Sequence, residues 1–415
     1  MFNMTPRQSS VRFIFATILL DALGIGLIIP ILPDVIRRFG AEANFVNHYF
    51  GYFISVYALM QFVASPVLGS LSDRFGRRPI LLVSLLGAGL DYVLMALAPN
   101  LWILFFGRVI AGLTGASMTV ASSYMADISD DSNRSSNFGM IGAGWGLGFI
   151  AGPMLGGLLG SFGSHYPFYA AAVLNLLNFA FGYFILPESL PTSQRRKIDI
   201  KRLNPLRSLL KVFVPSSTVV LIYVYTLVYL AGHAHPSIWT LFTQFKFGWS
   251  AFQVGLSLSV VGISIAIVQG GLTRVVIPKL GEPKALSVGL WFNVVGFALF
   301  AFATQGWMMY AILAVSSLSG IAGPALQSLI SKDIPPSEQG ELQGSLISIG
   351  SLTAIVGPLI YTNAFATFTK PDAVYFFPGV PYLLAAVISF AGWALLVIAQ
   401  RQHKHKNRHE RQIVG

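Results

Sequence analysis

The sequence contains no cysteine and has few charged residues. Without cysteine the chain can form neither a disulfide nor a thiolate metal site, so nothing in it indicates a redox compartment. Charged residues make up 10% of the 415 residues, whereas a soluble globular protein carries about 25%. Hydrophobic residues make up 54%, and the mean hydropathy is +0.67. This composition excludes an ordinary soluble protein.

The sequence signatures of enzymes and ATP-driven pumps are absent as well. The chain has no nucleotide-binding P-loop after a strand, no HExxH zinc motif and no cysteine nucleophile. We therefore expect neither an enzyme nor an ATP-driven pump, and we expect no metal site.

What the sequence does contain is a series of long apolar runs. Each is about 20 residues long, the length of a helix that crosses a hydrocarbon core of about 30 Å. The first run contains Asp21, continues past Pro30 and has no small-residue cleavage site, so we interpret it as a retained helix and not as a signal peptide. The runs predict an all-α polytopic membrane protein with twelve transmembrane helices, near residues 13–33, 48–71, 79–98, 101–126, 137–160, 165–186, 213–233, 250–273, 284–304, 307–330, 343–366 and 378–399.

The basic residues are distributed unevenly between the predicted loops. Twelve spans put both termini on one side of the membrane, and 22 of the 27 lysines and arginines fall on that side. By the positive-inside rule both termini are cytoplasmic, as in a multi-pass protein of a bacterial-type inner membrane. The formal net charge of +11 is therefore a topology signal and does not indicate nucleic-acid binding. The basic tail "QRQHKHKNRHER" is predicted to contact solvent or lipid headgroups.

One long polar interval, Pro187 to Ser208, divides the chain into two halves with six predicted helices each. We predict an N-terminal six-helix bundle at residues 1–186, a cytoplasmic linker at 187–212, and a C-terminal six-helix bundle with its basic tail at 213–415. A weak internal repeat, in which one span is followed by a short basic loop, supports this division. Two six-helix repeats are typical of a transporter that rocks about a central site.

Three motifs resemble those of a known family. The loop "GSLSDRFGRRP" (Gly69–Pro79) resembles the motif between helices 2 and 3 of the major facilitator superfamily. "GRVIAGLTGA" (Gly107–Ala116) is similar to its helix 4 motif, and "GLGFIAGPMLGG" (Gly146–Gly157) to the helix 5 motif of its proton-driven exporters. The whole chain resembles the tetracycline/proton antiporters of the drug-exporting branch. The resemblance implies the major facilitator fold and proton-coupled transport by alternating access.

Two of the sixteen acidic residues, Asp21 and Asp91, lie well inside predicted spans. A carboxylate near the bilayer centre costs about 2.5–3.5 kcal/mol on insertion scales, and such groups usually serve a transport pathway. Because protonation removes the charge, we hypothesise that Asp21, Asp91 or both bind the coupled proton. The alternative is a polar bridge between helices.

Arg108 is the only basic residue inside a predicted span. A guanidinium in a membrane stays charged, so it needs an acidic or carbonyl partner in a water-accessible interior. The resemblance implies that Arg108 assists proton movement or holds the fold near the two acids.

The resemblance also implies two conformational elements. The first is a cytoplasmic latch, in which Asp73 faces a helix N-terminus of the opposite half and a loop arginine pairs with Asp127. Its residues are Gly69, Asp73, Arg74, Gly76, Arg77, Arg78 and Asp127. A topology signal would explain the arginines but not Asp73. The second is a hinge that seals against proton leak, formed by Gly148, Gly152, Pro153, Gly156 and Gly157. Helix packing alone is the alternative for this motif.

A midplane binding cavity needs apolar and aromatic walls with a few polar anchors. The candidate substrate contacts are polar side chains in predicted spans, namely Gln61, Asn175, Asn178, Tyr223, Tyr225, His233, Gln269, Asn293 and Gln327. Any one of them would also fit a hydrogen bond between helices. His233 is the ionisable candidate, and its position near a helix end also fits an interfacial histidine.

The second half departs from the family pattern at two positions. The family has an intramembrane histidine in helix 8 and an aspartate in helix 9, where this sequence has Ile265 and Asn293. We therefore expect the coupling groups in the first half. The departure counts against a metal–tetracycline cation as cargo more than it counts against a proton-coupled exporter.

These observations predict a proton-coupled antiporter that exports a small amphipathic molecule or drug. The expected partners are the small-molecule substrate, protons and membrane lipid, with no cofactor besides the coupling proton, and we expect a functional monomer. One alternative is a proton-coupled importer of a nutrient or of a metal chelate such as a siderophore, since one fold serves both directions. A transporter-like receptor without flux is another, and there Asp21 and Asp91 would be dispensable.

Overall fold

The computed structural model describes residues 6–39, 43–115, 117–130, 133–196, 217–332, 334 and 339–414. These ranges contain seventeen α-helices and no strand. The helices are α1 Pro6–Ile28, α2 Leu32–Arg37, α3 Ala43–Phe75, α4 Arg77–Ala96, α5 Leu101–Thr114, α6 Ser117–Asp127, α7 Arg134–Phe162, α8 Tyr166–Ile185, α9 Ser217–Gly232, α10 Ala234–Phe247, α11 Ala251–Ile267, α12 Thr273–Leu280, α13 Glu282–Phe302, α14 Gly306–Ser316, α15 Ala322–Lys332, α16 Gln339–Thr369 and α17 Val380–Val414.

Twelve spans among the described residues are long and apolar enough to cross a membrane, which confirms the predicted number. They are Ser9–Ile28, Phe45–Phe75, Arg77–Ala96, Leu101–Asp127, Ser136–Phe162, Tyr166–Ile185, Thr218–Phe247, Ala251–Leu280, Glu282–Phe302, Gly306–Lys332, Leu342–Thr369 and Val380–Gln400. Four of them consist of two helices each, α5 with α6, α9 with α10, α11 with α12, and α14 with α15.

The two-part spans are interrupted where glycine or proline weakens the helix. The first break lies at Gly115, and the second comes after Gly232, shortly before Pro236. The third is a π-helical turn at Val268–Leu272, and the fourth is a 3₁₀ turn at Ser317–Ile321. Glycine is about 1 kcal/mol less favourable than alanine inside a helix. Apolar periodicity does not show such breaks, so the sequence predicts each span as one continuous helix.

The chain divides into two compact units. The first consists of Met1–Arg207 with Thr243–Gly262, and the second of Ser208–Phe242 with Ile263–Gly415. In the first unit α1 packs on α7, α3 on α5, and α4 on α8, whereas in the second α17 packs on α13 and α9. The predicted bundle boundaries stay a prediction, and residues 197–212 of the predicted linker lie outside the described residues.

Each unit has its own buried core. In the first unit Phe13, Leu85 and Tyr124 belong to one apolar cluster, and in the second unit Leu290 and Leu326 belong to another. Lipid tails are as apolar as these side chains, so helices in a membrane are held together by close packing and polar contacts. Small residues and buried polar groups therefore determine how the helices of this protein meet.

Candidate functional site

The first unit contains a cavity of about 290 Å³, which we call the first-unit cavity. It is lined by Asp21, Ile25, Ile28, Tyr57, Gln61, Ala88, Asp91, Tyr92, Arg108, Ala111, Thr114, Gly115, Ser117, Met118, Gly142, Trp145 and Asn175. Five of these, namely Asp21, Gln61, Asp91, Arg108 and Asn175, are site residues that the sequence predicts. The structure brings all five together from α1, α3, α4, α5 and α8.

Asp21 is held by a hydrogen bond between two helices. Ser117, the first residue of α6, donates its hydroxyl to Oδ2 of Asp21 on α1 at 2.6 Å. The break at Gly115 starts α6 inside the span and thereby places Ser117 beside the cavity. A hydroxyl donor stabilises the ionised carboxylate. Asp21 thus has a fixed partner, and it is only partly buried.

Asp91 is almost completely buried, with an exposed fraction of 2%. Neither of its carboxylate oxygens has a hydrogen-bond partner among the described residues. α5 approaches it at Gly107, where an added Cβ would lie 3.2 Å from Oδ1 of Asp91 and 2.6 Å from Cγ of Met95. A buried polar group without a partner costs about 1–3 kcal/mol, and more when it is charged. A proton, or a donor group of a ligand in the cavity, would remove this cost.

Arg108 is the basic side chain of the cavity, and it too is buried, with an exposed fraction of 8%. Its guanidinium carbon lies 4.6 Å from the ring centre of Tyr57 on α3. Within the described part of the chain its Nε has no hydrogen-bond partner. A cation over an aromatic face gains about 0.5–1 kcal/mol at exposed sites and about 2 kcal/mol or more when desolvated. Arg108 thus contacts an aromatic face, while the acidic side chains of Asp21 and Asp91 line the same cavity, and the expected acidic or carbonyl partner stays a prediction.

Four further lining side chains, Tyr57, Tyr92, Ser117 and Trp145, are not singled out by the sequence analysis. Tyr57 lies one helical turn before Gln61 and shares its helix face, so the spacing could have identified it. Tyr92 directly follows Asp91 and points to a different side of α4, so no such spacing identifies it. With these rings the cavity has an aromatic wall around two carboxyl groups and one guanidinium. Such a lining suits an amphipathic small molecule.

The three predicted amide residues of the first unit are placed differently. Gln61 donates from Nε2 to the carbonyl oxygen of Gly115 at 3.0 Å and so supports the break between α5 and α6. Asn175 donates to a carbonyl of its own helix, and its Oδ1 is buried without a partner in the described ranges. Asn178 does not line the cavity, because its Nδ2 donates to Oγ1 of Thr17 at 3.0 Å and bridges α8 and α1.

The remaining predicted substrate contacts, Tyr223, Tyr225, His233, Gln269, Asn293 and Gln327, belong to the second unit. None of these described residues lines the first-unit cavity. Asn293 donates a hydrogen bond to Oγ of Ser389 at 3.4 Å, and Gln327 donates one to Oε1 of Gln343 at 3.1 Å. Both amides thus make the contacts between helices that were the alternative to cargo binding.

Two of the second-unit candidates lie at broken spans. His233 separates α9 from α10, and Gln269 lies in the π-helical turn between α11 and α12. Tyr225 stacks on Tyr229, with 4.1 Å between the ring centres. Tyr225, Tyr229 and His233 are spaced four residues apart, so they follow one face of the span.

The predicted latch is centred on Arg77, the first residue of α4. One nitrogen of its guanidinium lies 2.6 Å from Oδ1 of Asp73 and donates to Oγ of Ser72 at 2.7 Å, while Nε donates to Oδ2 of Asp127 at 3.1 Å. Arg77 is therefore the loop arginine that pairs with Asp127. Charge-assisted contacts of this kind are about twice as strong as neutral hydrogen bonds. The predicted contact of Asp73 with the other half of the protein stays a prediction.

The other latch residues have separate contacts. Arg78 donates from Nη2 to the carbonyl oxygen of Tyr183 at 2.6 Å. Arg74 is exposed, and its guanidinium carbon lies 5.1 Å from the ring centre of Phe75. A Cβ added at Gly69 would make only ordinary van der Waals contact. Close packing therefore does not hold Gly69 in place. The charged contacts of the latch are made by Arg77.

Glu188 is a further member of this cluster, and no motif in the sequence points to it. Its carboxylate accepts hydrogen bonds from the backbone N–H groups of Arg77 at 2.8 Å, Arg78 at 3.3 Å and Leu190 at 3.0 Å. It thereby caps the N-terminus of α4, where unpaired N–H groups and the helix dipole favour an anion. Gly76 has a positive φ of 105°, and a side chain there would run into the Glu188 carboxylate.

The predicted hinge residues pack α7 closely on α1. A Cβ added at Gly148 or Gly156 would run into backbone carbonyl groups of α1, and one added at Gly152 would lie 2.9 Å from Cα of Gly26. Pro153 lies inside α7, and a Cβ at Gly26 would be 2.7 Å from its Cδ. Small residues let the two backbones approach, as in other membrane helix pairs.

A neighbouring face of α7 meets α11, which belongs to the first unit up to Gly262. A Cβ added at Gly157 would run into the carbonyl oxygen of Ala251, and one added at Gly255 would run into a carbonyl of α7. Ser259 donates from Oγ to the carbonyl oxygen of Ile150 at 2.5 Å. The motif thus serves as a packing surface for two helices.

A polar cluster lies just outside the first span. Asp34 on α2 forms an ion pair with Arg37. Gln244 joins both, because it accepts a hydrogen bond from Nη2 of Arg37 at 3.0 Å and donates one to Oδ2 of Asp34 at 3.4 Å. Burial raises the pKa of Asp34 above its ordinary value, although Arg37 and Gln244 act in the opposite direction.

Comparisons with known proteins agree with this architecture. The family model of the major facilitator superfamily matches residues 14–358 and 279–413. The tetracycline resistance protein, class C, of Escherichia coli is 44% identical over 353 residues, which cover 85% of this chain and 89% of that protein. The class H protein of Pasteurella multocida is 36% identical over 403 residues, covering 96% and 97%. Among solved structures, the nucleoside transporter NupG is 15% identical with a TM-score of 0.75, covering 94% of this chain and 99% of that one, which supports the fold.

The twelve membrane spans, together with the match to a family of transporters, identify a multi-pass membrane transporter and not an enzyme. The chain belongs to the major facilitator superfamily. This confirms the predicted fold class and the resemblance to tetracycline antiporters that the motifs indicated.

Proposed function

We propose that this transporter is a proton-coupled antiporter that exports a tetracycline-type drug from the cytoplasm. The observation that carries the proposal is Asp91, a buried carboxyl group without a hydrogen-bond partner among the described residues, which shares the first-unit cavity with Arg108. The relatives named as tetracycline resistance proteins support a drug of this kind as cargo.

Proton and cargo compete for the same carboxyl group in the proposed cycle. Cargo enters the cavity from the cytoplasm while Asp91 is ionised, and donor groups of the cargo satisfy the carboxylate. In the outward-facing state an external proton binds Asp91 as the cargo leaves. The neutral carboxyl group removes a buried charge and permits the return step. Each ligand shifts the equilibrium only by its differential affinity for the two states.

The other groups of the cavity have supporting roles in this proposal. The aromatic wall around Tyr57, Tyr92 and Trp145 binds the apolar part of the cargo. Asp21, which already accepts a hydrogen bond from Ser117, keeps a negative charge in the cavity. The latch around Arg77 and the hinge in α7 control the change between the two states.

The decisive experiment measures uptake into everted membrane vesicles whose lumen is acidified. The probe is tetracycline, first without and then with Mg²⁺, because Ile265 and Asn293 count against a metal–tetracycline cation as cargo; a panel of other amphipathic drugs follows. We expect the wild type to accumulate the drug and Asp91→Asn to lose this accumulation. Asp372→Asn is the matched control, because the side chain of Asp372 is 80% exposed and lies outside the spans.

The direction of flux separates the candidate functions. Accumulation driven by an alkaline lumen would instead indicate an importer. Binding without flux across the whole panel would indicate a receptor. Uptake by Asp91→Asn at the wild-type level would show that the coupled proton does not bind Asp91.

Localisation and topology form part of the proposal. We place the protein in a bacterial-type inner membrane, as a functional monomer with both termini in the cytoplasm and no cofactor besides protons. The chain contains no cysteine, so single cysteines can be labelled without background. We expect a membrane-impermeant maleimide to label Asp372→Cys in intact cells and Thr192→Cys only after permeabilisation. The reverse pattern would overturn this topology.

A further inference from the structure

We infer that Tyr57 is a positioning residue, whose ring holds the Arg108 guanidinium apart from Asp91 and so keeps that carboxyl group free to take up a proton. The inference rests on the proposed function, because that function makes Asp91 the site of proton exchange. Its physical consequence, however, can be measured without any cargo.

The starting point is a missing contact between opposite charges. Asp91 and Arg108 line one cavity, yet both carboxylate oxygens and the guanidinium Nε lack hydrogen-bond partners in the part of the chain that the structure describes. Both side chains are buried, so water screens their attraction only weakly. An arginine and a carboxylate in such surroundings ordinarily form a close, often bidentate pair. A competing attraction must therefore act on the guanidinium.

The face of the Tyr57 ring provides that attraction. The guanidinium carbon of Arg108 lies 4.6 Å from the ring centre, within the range of a cation–π interaction. The ring comes from α3, whereas Asp91 is on α4, so the two attractions act from different helices. Arg108 on α5 is thus held towards α3.

The packing of α3 on α5 keeps the ring in place. A Cβ added at Gly112 would lie 2.5 Å from the carbonyl oxygen of Tyr57, and one added at Gly115 would lie 2.9 Å from its hydroxyl oxygen. A side chain at Gly112 would therefore force the backbones of α3 and α5 apart. Because the helices are this close, the ring of Tyr57 lies directly against the helix that carries Arg108.

The charge balance of the cavity makes the position of Arg108 important for Asp91. The titratable side chains that line the cavity with Asp91 are Asp21, Tyr57, Tyr92 and Arg108, and Arg108 is the cation among them. If the ring is removed, the guanidinium is free to pair with Asp91. An opposite charge that moves from the cavity wall into direct contact makes a carboxyl group about tenfold or more harder to protonate. Tyr57 therefore preserves the readiness of Asp91 to accept a proton.

The test uses dicyclohexylcarbodiimide, which reacts with protonated carboxyl groups in apolar surroundings. The full-length protein carries Asp21→Asn, so that Asp91 is the carboxyl group of the cavity that reacts, and labelling is followed at fixed pH by mass spectrometry without cargo. We expect Tyr57→Phe, which keeps the ring, to be labelled at the rate of the background protein. We expect Tyr57→Leu to be labelled about tenfold more slowly. Adding Arg108→Gln to Tyr57→Leu should restore the rate, because the competing cation is gone.

A further variant guards against a folding defect in Tyr57→Leu. Trifluorophenylalanine at position 57 keeps the shape of the ring but removes its electron-rich face, so we expect slow labelling there too. Labelling of the leucine and fluorinated variants at the background rate would overturn the inference, as would slow labelling that persists in the double variant. A wild type without drug flux, but with this dependence on the ring, would overturn only the proposed function.

Discussion

Ser117, which begins α6 just after the break that ends α5, donates a hydrogen bond of 2.6 Å to Asp21 on α1. Asp91, in the same cavity, has no such donor among the described residues. The two acids are therefore unequal, because a donor stabilises the ionised form of Asp21. This difference favours Asp91 as the group that exchanges its proton and Asp21 as the charge that stays.

Removal of the Ser117 hydroxyl should make Asp21 easier to protonate. A hydrogen bond to a charged group contributes about 1.5–3 kcal/mol, which corresponds to about one pH unit or more. We expect the pH profile of drug uptake by Ser117→Ala to move to higher pH by about this amount. Ser117→Thr keeps the hydroxyl and serves as the control. An unchanged profile in Ser117→Ala would mean that this bond does not govern protonation of the cavity.

Glu188 should matter for stability more than for cargo binding. Its carboxylate accepts hydrogen bonds from the backbone N–H groups of Arg77 and Arg78 at the start of α4. The loss of a helix cap costs about 0.5–2 kcal/mol. We expect Glu188→Ala to lower the midpoint of thermal unfolding in detergent, and Glu188→Gln to lower it less, because an amide oxygen still accepts. Asp372→Ala, at an exposed site, is the control. Equal midpoints for Glu188→Ala and wild type would exclude a capping role.

The sequence predicts the position of a charged group in a membrane better than its partner. Asp21, Asp91 and Arg108 were expected to face an interior pathway because a charge inside a span is costly in lipid, and the resemblance implied that Arg108 lies near the two acids. All three line one cavity. The contact of Arg108 with Tyr57 was not expected. An aromatic residue at helical spacing is ordinarily interpreted as a packing residue. Only the structure, which places α5 against α3, shows that the Arg108 guanidinium lies over the Tyr57 ring.

Two other features were beyond prediction for related reasons. Glu188 follows directly on the sixth span, where an acidic residue reads as part of a solvated linker, and only the fold brings it to the start of α4. The break that places Ser117 beside the cavity is supported by a contact from another helix, because Gln61 supplies a donor to the Gly115 carbonyl oxygen. Both contacts join segments that are far apart in the sequence, so local helix propensity cannot predict them.

The latch should control the rate of transport and not the affinity for cargo. Arg77 contacts both Asp73 and Asp127, and lysine cannot reproduce its planar set of donors. We therefore expect Arg77→Lys and Asp73→Asn to slow drug uptake into everted vesicles while the concentration for half-maximal uptake stays the same. Arg274→Gln, at an exposed position of α12, is the control. A wild-type uptake rate in Asp73→Asn would show that the latch is wrong.

Gly156 should tolerate no larger residue. A Cβ there would run into the carbonyl group of Leu27 on α1, and overpacking of a tight contact costs about 1–3 kcal/mol. We expect Gly156→Ala to lower the thermal midpoint and drug uptake together. Gly139→Ala is the matched control on the same helix, because an added Cβ there meets no described atom within 4 Å. If both variants behave alike, close packing of α7 on α1 does not determine function.

Asp34 should make stability depend on pH in a direction opposite to that of an ordinary paired aspartate. Burial raises its pKa, so the folded protein holds a proton at pH values where the unfolded chain has released it. Between the ordinary value and the raised value, stability therefore falls as pH rises. Asp34→Asn is close to isosteric and has no proton to release. We expect the difference in thermal midpoint, wild type minus Asp34→Asn, to become more negative as pH rises through this window. A difference that becomes more positive would mean that the ion pair with Arg37 outweighs burial. In that case Gln244→Ala, which removes one hydrogen-bond partner of Asp34, should make this difference in thermal midpoint smaller.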